Sequence, residues 1–225
     1  MAGNRSEQRE RVLVLGASGE TGRAVVATLE ALTIPVRAQV RTAEKGKHLA
    51  SELTEVVIAE VTENTLPGLV EGTFAIISTI GTRVFTDLRT IEAAEHTTIK
   101  NAIDAAINAN LRHFVLCSSM GTQQPESIPP LANILYAKAR AEQDLIDSGL
   151  TYTIVHPGGL RNERGGREVL VTAHPSSSHG SITREDTAQV LVQALLQRES
   201  FNKSVDIMQQ EGQGLADRQG LFAAL

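Results

Sequence analysis

From residue 11 onward the chain alternates short apolar runs with segments whose apolar residues recur every three or four positions. Val12–Leu15 is apolar and closed by glycines, and Val25, Val26, Leu29 and Leu32 follow at helical spacing over Thr21–Leu32. Pro35–Val40 reads as a second strand, with proline tolerated at its first residue. His48–Leu53 predicts a short helix and Glu55–Val61 a third strand. Phe74–Ile80 is wholly apolar, as expected of a strand covered on both faces. Ile91–Asn108 is the longest helical pattern, and His113–Cys117 predicts a fifth strand. Ala137–Ser148 reads as a helix ended by Gly149, and Thr151–Val155 as a sixth strand stopped by Pro157-Gly158-Gly159. Residues 160–182 are rich in Gly, Ser, His and Pro and predict a long loop with one short strand, Val169–Thr172. Arg184–Arg198 is helical, with Thr183 as its N-cap and Asp186 at N3, and Ser204–Met208 adds a last strand.

Strand–helix alternation of this kind implies a parallel, doubly wound sheet with right-handed crossovers, hence a single Rossmann-like α/β domain with helices on both faces. The expected limits are a leader at 1–10, a domain at 11–208 that includes substrate-side loops at 159–182, and a tail at 209–225. The apolar end of that tail, LFAAL, either docks or stays free. At 225 residues and 41% hydrophobic, the chain can bury one sizeable core. Its 21 Lys+Arg against 26 Asp+Glu give a formal charge of −5, which argues against a nucleic-acid binder. With Cys117 the only cysteine, no internal disulfide forms. No apolar run reaches the roughly 18 residues of a membrane span, and the polar start lacks a secretory h-region. A cytoplasmic monomer or weak homodimer is the expectation.

The chemistry begins at Gly16-Ala17-Ser18-Gly19-Glu20-Thr21-Gly22, three glycines at G-x-x-G-x-x-G spacing after a strand and before a helix. Glycines let the backbone turn sharply and approach a pyrophosphate, and the free N–H groups of the helix start face that anion. NAD-binding units place an acidic residue about 20 positions on, at the adenosine ribose. Arg41 stands there instead, followed by Lys45, with Arg37 inside the strand. Cations suit a 2′-phosphate, so NADP is favoured over NAD. Glu60 and Val61 are expected to border the adenine. Thr79, Ile80 and Gly81 are expected beside the ribose and pyrophosphate, although plain core packing explains Ile80 equally well.

GASGETGR (16–23), VRTAEK (40–45), STIG (78–81), SSMG (118–121), AKARAEQDLIDSGLTYTIVHPGGL (137–160) and ITREDTAQVLVQALL (182–196) together resemble the atypical short-chain dehydrogenase/reductases, the NmrA-like and biliverdin reductase B-like group. The resemblance implies NADP(H) lying across the carboxyl edge of the sheet and leaves the substrate open.

Related dehydrogenases use a Ser after the fifth strand and Tyr-x-x-x-Lys on the next helix. Here Ser118 and Ser119 stand at the first position and Lys138 at the last, but Ile134 replaces the tyrosine. Tyr136 is two residues from Lys138, on another helix face, and is expected at the mouth of the substrate pocket. His156 is a candidate proton donor, or a structural polar residue. Backbone groups of Pro157, Gly158, Gly159 and Leu160 are candidates for the nicotinamide amide. Cys117 reads as an inert thiol beside the cofactor. Metal binding is not expected, since the close pair His174 and His179 lacks a Cys or carboxylate at ligand spacing. Arg161, Arg164 and Arg167 either steer an anionic substrate or form a solvated loop. The leading reading is an NADP(H)-dependent oxidoreductase acting on a small quinone-, flavin- or tetrapyrrole-like acceptor. The alternative is a non-catalytic NADP(H)-binding redox sensor or assembly protein with a protein partner; an isomerase or epimerase that uses the bound cofactor transiently is a weaker third.

Overall fold

The computed structural model describes residues 10–176, 179–209 and 220–225. The expected leader, except its residue 10, lies outside them, as does most of the expected tail.

In chain order the elements are β1 (Arg11–Leu15), α1 (Glu20–Ala31), β2 (Val36–Val40), α2 (Ala43–Gly46), β3 (Thr54–Ile58), α3 (Leu66–Val70), β4 (Thr73–Ser78), α4 (Leu88–Glu92), a π-helical turn (Ala93–Thr97), α5 (Thr98–Asn108), β5 (His113–Cys117), α6 (Ala132–Asp147), β6 (Tyr152–Pro157), β7 (Gly159–Arg161), β8 (Val169–Ala173), β9 (Ser181–Thr183), α7 (Arg184–Leu196) and β10 (Lys203–Gln209). Eight strands form one sheet in the order β3-β2-β1-β4-β5-β6-β10-β8, and β7 pairs with β9 separately. Every neighbouring pair in the large sheet is parallel except β10 with β8. The fold is the expected Rossmann-like one.

Side chains alternate across the sheet because successive Cβ atoms point to opposite faces. Val12, Val14, Ala38, Ile77, Val115 and Val155 pack on one face with α1 and α7 residues such as Val25, Leu29 and Leu191. Leu13, Leu15, Ile76, Phe114, Leu116 and Ile154 pack on the other with Leu66, Ile99, Ile103 and Leu145. The core is therefore two-layered, and each fully buried Leu or Ile contributes about 1.5–3 kcal/mol.

Several expected boundaries shift. The helix expected at His48–Leu53 does not form, since only Leu49 in that stretch is buried, and the four-residue α2 lies before it. Helix α3 lies where no helix was expected, since Pro67-Gly68 inside five residues reads as a turn. Helix α6 begins at Ala132, five positions early, after two 3-10 turns built on Pro125 and Pro129. Thr183 caps α7 as expected, its hydroxyl accepting from the Asp186 N–H at 3.1 Å.

The chain runs outward from β1 to β2 and β3, then crosses back to β4 on the other side of β1. That reversal leaves a crevice above the carboxyl ends of β1 and β4, where open α/β sheets bind ligands.

Candidate active site

Gly16 takes φ +75°, a left-handed conformation that glycine adopts without strain. A Cβ on Gly22 would lie 2.3 Å from the Gly16 carbonyl and 2.9 Å from Ala17 Cα, so helix and loop meet with no room for a side chain. The Gly16 N–H donates to Gln39 Oε1 at 3.0 Å, the Ala17 N–H to the Gln39 carbonyl at 3.1 Å, and Gln39 Nε2 to the Ala59 carbonyl. Gln39, 2% exposed, thus ties the loop to β2 and β3. It went unnoticed in the sequence, where a polar residue within an apolar strand was the available signal. Across the crevice Thr79 donates its N–H and hydroxyl to the Leu15 carbonyl, both at 3.0 Å. The first-turn N–H groups of α1 have no intrahelical acceptor, so the cradle fits a dinucleotide pyrophosphate.

Around that cradle the expected residues fall unevenly. Ser18 lends its carbonyl to Arg23 Nη1 at 2.9 Å. Glu20 opens α1 with its carboxylate held by Arg83 at 2.9 Å and Arg184 at 3.2 Å. Thr21 is buried in the first turn. Arg41 and Lys45 are exposed beyond β2, and among the described residues neither has an ion-pair partner recorded. Arg37 is committed elsewhere, to Glu55 at 3.0 Å and to the carbonyls ending α3, and so is no part of the nucleotide side. Glu60 is exposed and Val61 half-buried, past the end of β3. Ile80 packs at the edge of the core, and Gly81 sits against the Glu95 carboxylate.

On the catalytic side, Lys138 Nζ lies 2.9 Å from Glu95 Oε2. Glu95, 2% exposed, projects from the π-helical turn and also accepts from the Thr82 N–H. Burial works against the Lys138 charge, but the Glu95 carboxylate outweighs it and holds the ammonium above its ordinary pKa. Ile134 is buried on α6 one turn before Lys138 and packs with Ile91 and Ala137, so no hydroxyl occupies the tyrosine position. Tyr136 is 48% exposed and its hydroxyl reaches Glu126 at 3.3 Å.

Ser118 is buried at the end of β5 and donates its hydroxyl to Glu142 Oε1. His156 is fully buried, its Nε2 3.1 Å from the same oxygen and its Nδ1 3.1 Å from the Val205 carbonyl. Burial pushes the Glu142 carboxyl up, but hydrogen bonding and charge from His156, then the Ser118 hydroxyl, hold it below the ordinary carboxylate value. His174 stacks on His156 and binds Asp206 at 2.6 Å. The expectation that His174 lacks a carboxylate partner is therefore corrected: antiparallel pairing of β8 with β10 brings Asp206 to it across 32 residues of sequence. His179 is exposed and apart from this cluster.

Much of the Pro157–Gly159 backbone is engaged internally. The Pro157 carbonyl accepts from Met120, Gly158 donates to Ile207, and Gly159 donates to Gly180. Cys117 is buried, and burial pushes its thiol up to about 11, consistent with an inert group. Arg161 binds Gln209 and lies 3.4 Å from Glu163. It lines a cavity of about 560 Å³ between α1 and α7, and a second cavity of about 360 Å³ lies between α3 and α5. Neither includes Ser118 or Lys138 in its lining.

The NAD(P)H-binding family model matches residues 16–198, from the first glycine through α7. The chain belongs to the NAD(P)H-binding family. Its sequence relatives include the chloroplastic protein At2g34460 of Arabidopsis thaliana, 32% identical over 96% of this chain and 82% of that one. Sanguinarine reductase of Eschscholzia californica is 42% identical over 55% of this chain and 49% of its own. Among solved structures, a Bacillus halodurans protein whose name, NAD-dependent epimerase/dehydratase, is itself provisional superposes with a TM-score of 0.84 at 28% identity, covering 91% of this chain and 96% of that one. These likenesses agree with the atypical short-chain dehydrogenase/reductase family and with an NAD(P)H-binding oxidoreductase lineage. Among the described residues no helix is long and apolar enough to cross a membrane.

Proposed function

We propose that this protein is an NADP(H)-dependent reductase of a small, planar acceptor of quinone, flavin or tetrapyrrole type. The NADP part is supported by Arg41 and Lys45, exposed beyond β2, the place where dinucleotide-binding folds read the adenosine ribose. Two cations there suit a 2′-phosphate better than a bare 2′-hydroxyl, which gives them only a neutral acceptor. Gly16, Gly19 and Gly22 cradle the pyrophosphate on the α1 N-terminus, with Ala17, Ser18, Glu20 and Thr21 as the walls of the turn. Thr79, Ile80 and Gly81 flank the ribose, and Cys117, Ser118, Lys138 and Pro157–Gly159 form the floor on the nicotinamide side. The bound nicotinamide supplies the hydride; the protein supplies orientation and a proton. Val84, Phe85 and Leu88, exposed just after Gly81, give that edge an apolar rim suited to a flat aromatic acceptor. The 42% identity with sanguinarine reductase over 55% of this chain supports reductase chemistry. The expectation of a cytoplasmic location gains no support from the chloroplastic relative.

A second reading, a non-catalytic redox sensor, is favoured by Ile134 at the tyrosine position and by Lys138 being held by Glu95. One experiment separates the two. NADPH and NADH are titrated by cofactor fluorescence, and NADPH oxidation is then followed with menadione, a flavin and biliverdin. Turnover of any acceptor supports the reductase; tight NADPH binding without turnover supports the sensor; NADH binding as tight as NADPH rejects the role given to Arg41.

A further inference from the structure

Behind Ser118 the structure holds a line of buried groups that nucleotide binding does not require. The Ser118 hydroxyl and, at 3.2 Å, the Thr122 hydroxyl both donate to the Glu142 carboxylate. His156 Nε2 lies 3.1 Å from Glu142 Oε1, close enough for an ion pair with a charged ring but without hydrogen-bond alignment. The other ring nitrogen meets the Val205 carbonyl at 3.1 Å. A carbonyl and a carboxylate can only accept. A proton on either ring nitrogen of His156 therefore has an acceptor beside it, and a positive charge on the ring would face a carboxylate.

The surroundings hold that charge in place. His174, from the end of β8, stacks on His156 with centroids 3.7 Å and planes 6° apart. Asp206, from β10, lies 2.6 Å from His174 Nδ1 and 4.0 Å from His156 Nδ1, and accepts from the Ser176 N–H at 2.7 Å. Lys138, one turn before Glu142 on α6, is held by Glu95. Burying an unmatched carboxylate or imidazolium costs several kcal/mol, and here each has a counter-charge. Glu142, His156 and His174 do bring ligand atoms within 4.8 Å of one another. A parallel stack nevertheless opposes a shared metal, since an ion in the plane of one ring lies outside the plane of the other.

We propose that Ser118, Glu142 and His156 form a proton relay that delivers the acid a tyrosine would otherwise supply. The proposal rests on the reductase reading. A bound reduced nicotinamide would supply the hydride, and an electron-rich atom of the reduced acceptor then forms a bond to the Ser118 hydroxyl hydrogen. As that O–H bond breaks, Ser118 Oγ takes a proton from Glu142 Oε1, which has received it from His156 Nε2. The acceptor gains one proton, His156 goes from imidazolium to imidazole, and Glu142 and Ser118 return to carboxylate and hydroxyl. Solvent hydronium then returns a proton to His156 and leaves as water, so the net proton comes from solvent. Ser118 is the catalytic group, whereas Glu142 and His156 act through it.

The test uses the full chain. With carboxyl-13C glutamate, and Glu142→Gln to assign the resonance, NMR follows the Glu142 titration. His156→Gln is expected to raise its midpoint by about one pH unit, roughly tenfold in proton affinity, and Ser118→Ala by less. An unmoved midpoint in folded His156→Gln overturns the pairing. Stoichiometric zinc binding lost in His174→Ala overturns it in favour of a metal centre. With NADPH and menadione, Glu142→Gln is expected to lower kcat at least tenfold and change its pH profile while leaving the NADPH Kd unchanged; an unaltered profile overturns the relay. NADPH binding with no turnover of any acceptor rejects the reductase reading and removes the relay's task, while the NMR midpoint still decides whether the proton is shared.

Discussion

Lys138 Nζ and Glu95 Oε2 meet at 2.9 Å with the carboxylate side chain 1% exposed and the lysine 15%. The lysine that the motif assigns to the nicotinamide ribose is thus also the counter-ion of a buried acid on the opposite wall. Removing it strands a carboxylate in the core, which costs about 3–5 kcal/mol. Lys138→Met is therefore expected to lose stability on that scale in urea unfolding, and Lys138→Met with Glu95→Leu to recover most of it. A single variant as stable as the parent chain contradicts the pairing.

The exposed cation beyond β2 makes a sharper prediction about binding. A charge-assisted contact to a 2′-phosphate is worth about 1.5–3 kcal/mol, so Arg41→Ala is expected to weaken NADPH by roughly ten- to a hundredfold. NADH, which lacks that phosphate, is expected to bind the variant and the parent alike. Parallel fluorescence titrations decide it: equal losses for the two cofactors place Arg41 in the fold and not in recognition.

The strands and the glycine loop were legible because each depends on local pattern: an apolar run of fixed length, or a strand–turn–helix with glycines at set spacing. The partners of the site residues were not, because they arrive from distant segments. Glu95 of the π-helical turn pairs with Lys138 of α6, and Asp206 reaches His174 only when β10 lies beside β8. One signal was available. Ile91, Glu95, Ile99 and Ile103 share a helical stripe, and a carboxylate on the buried stripe of an apolar helix needs a cation. The π-helical turn that finally orients Glu95 has no comparable mark in the sequence. Arg37 differs for a simpler reason: it is taken up by Glu55 and the end of α3.

A second histidine sets the response to acid. His113 is 3% exposed at the start of β5, binds Thr153 at 3.0 Å, and stacks edge-on with Phe201. Burial lowers its pKa to about 4, against 6.5 for the free side chain. Between those values the unfolded chain binds a proton that the folded chain refuses, so stability falls as the pH drops from 6.5 toward 4, by about 3 kcal/mol. Glu142 and Asp206, whose carboxyls are held below the ordinary range despite burial, stabilise the fold above that range and lose their contribution only at still lower pH. Thermal melts from pH 7.5 to 4.5 are expected to show a shallower decline in His113→Asn. Parallel slopes in the two proteins reject His113 as the sensor.

The last segment changes what the chain offers to partners. Phe222 is 1% exposed and joins the core layer of α1 and α7, with Leu221 and Leu225 packed beside it. The apolar tail end that the sequence left free to dock elsewhere is therefore spent on its own domain. A fully buried phenylalanine truncated to alanine costs about 3 kcal/mol through lost transfer energy and an unfilled cavity. Phe222→Ala is expected to unfold at correspondingly lower urea, while Ala223→Ser, at an exposed neighbour, is expected to leave the midpoint in place. If Phe222→Ala instead keeps its stability and loses a dimer or a bound protein in sedimentation, the tail serves an interface. An unchanged sedimentation coefficient with a lowered midpoint assigns it to the core.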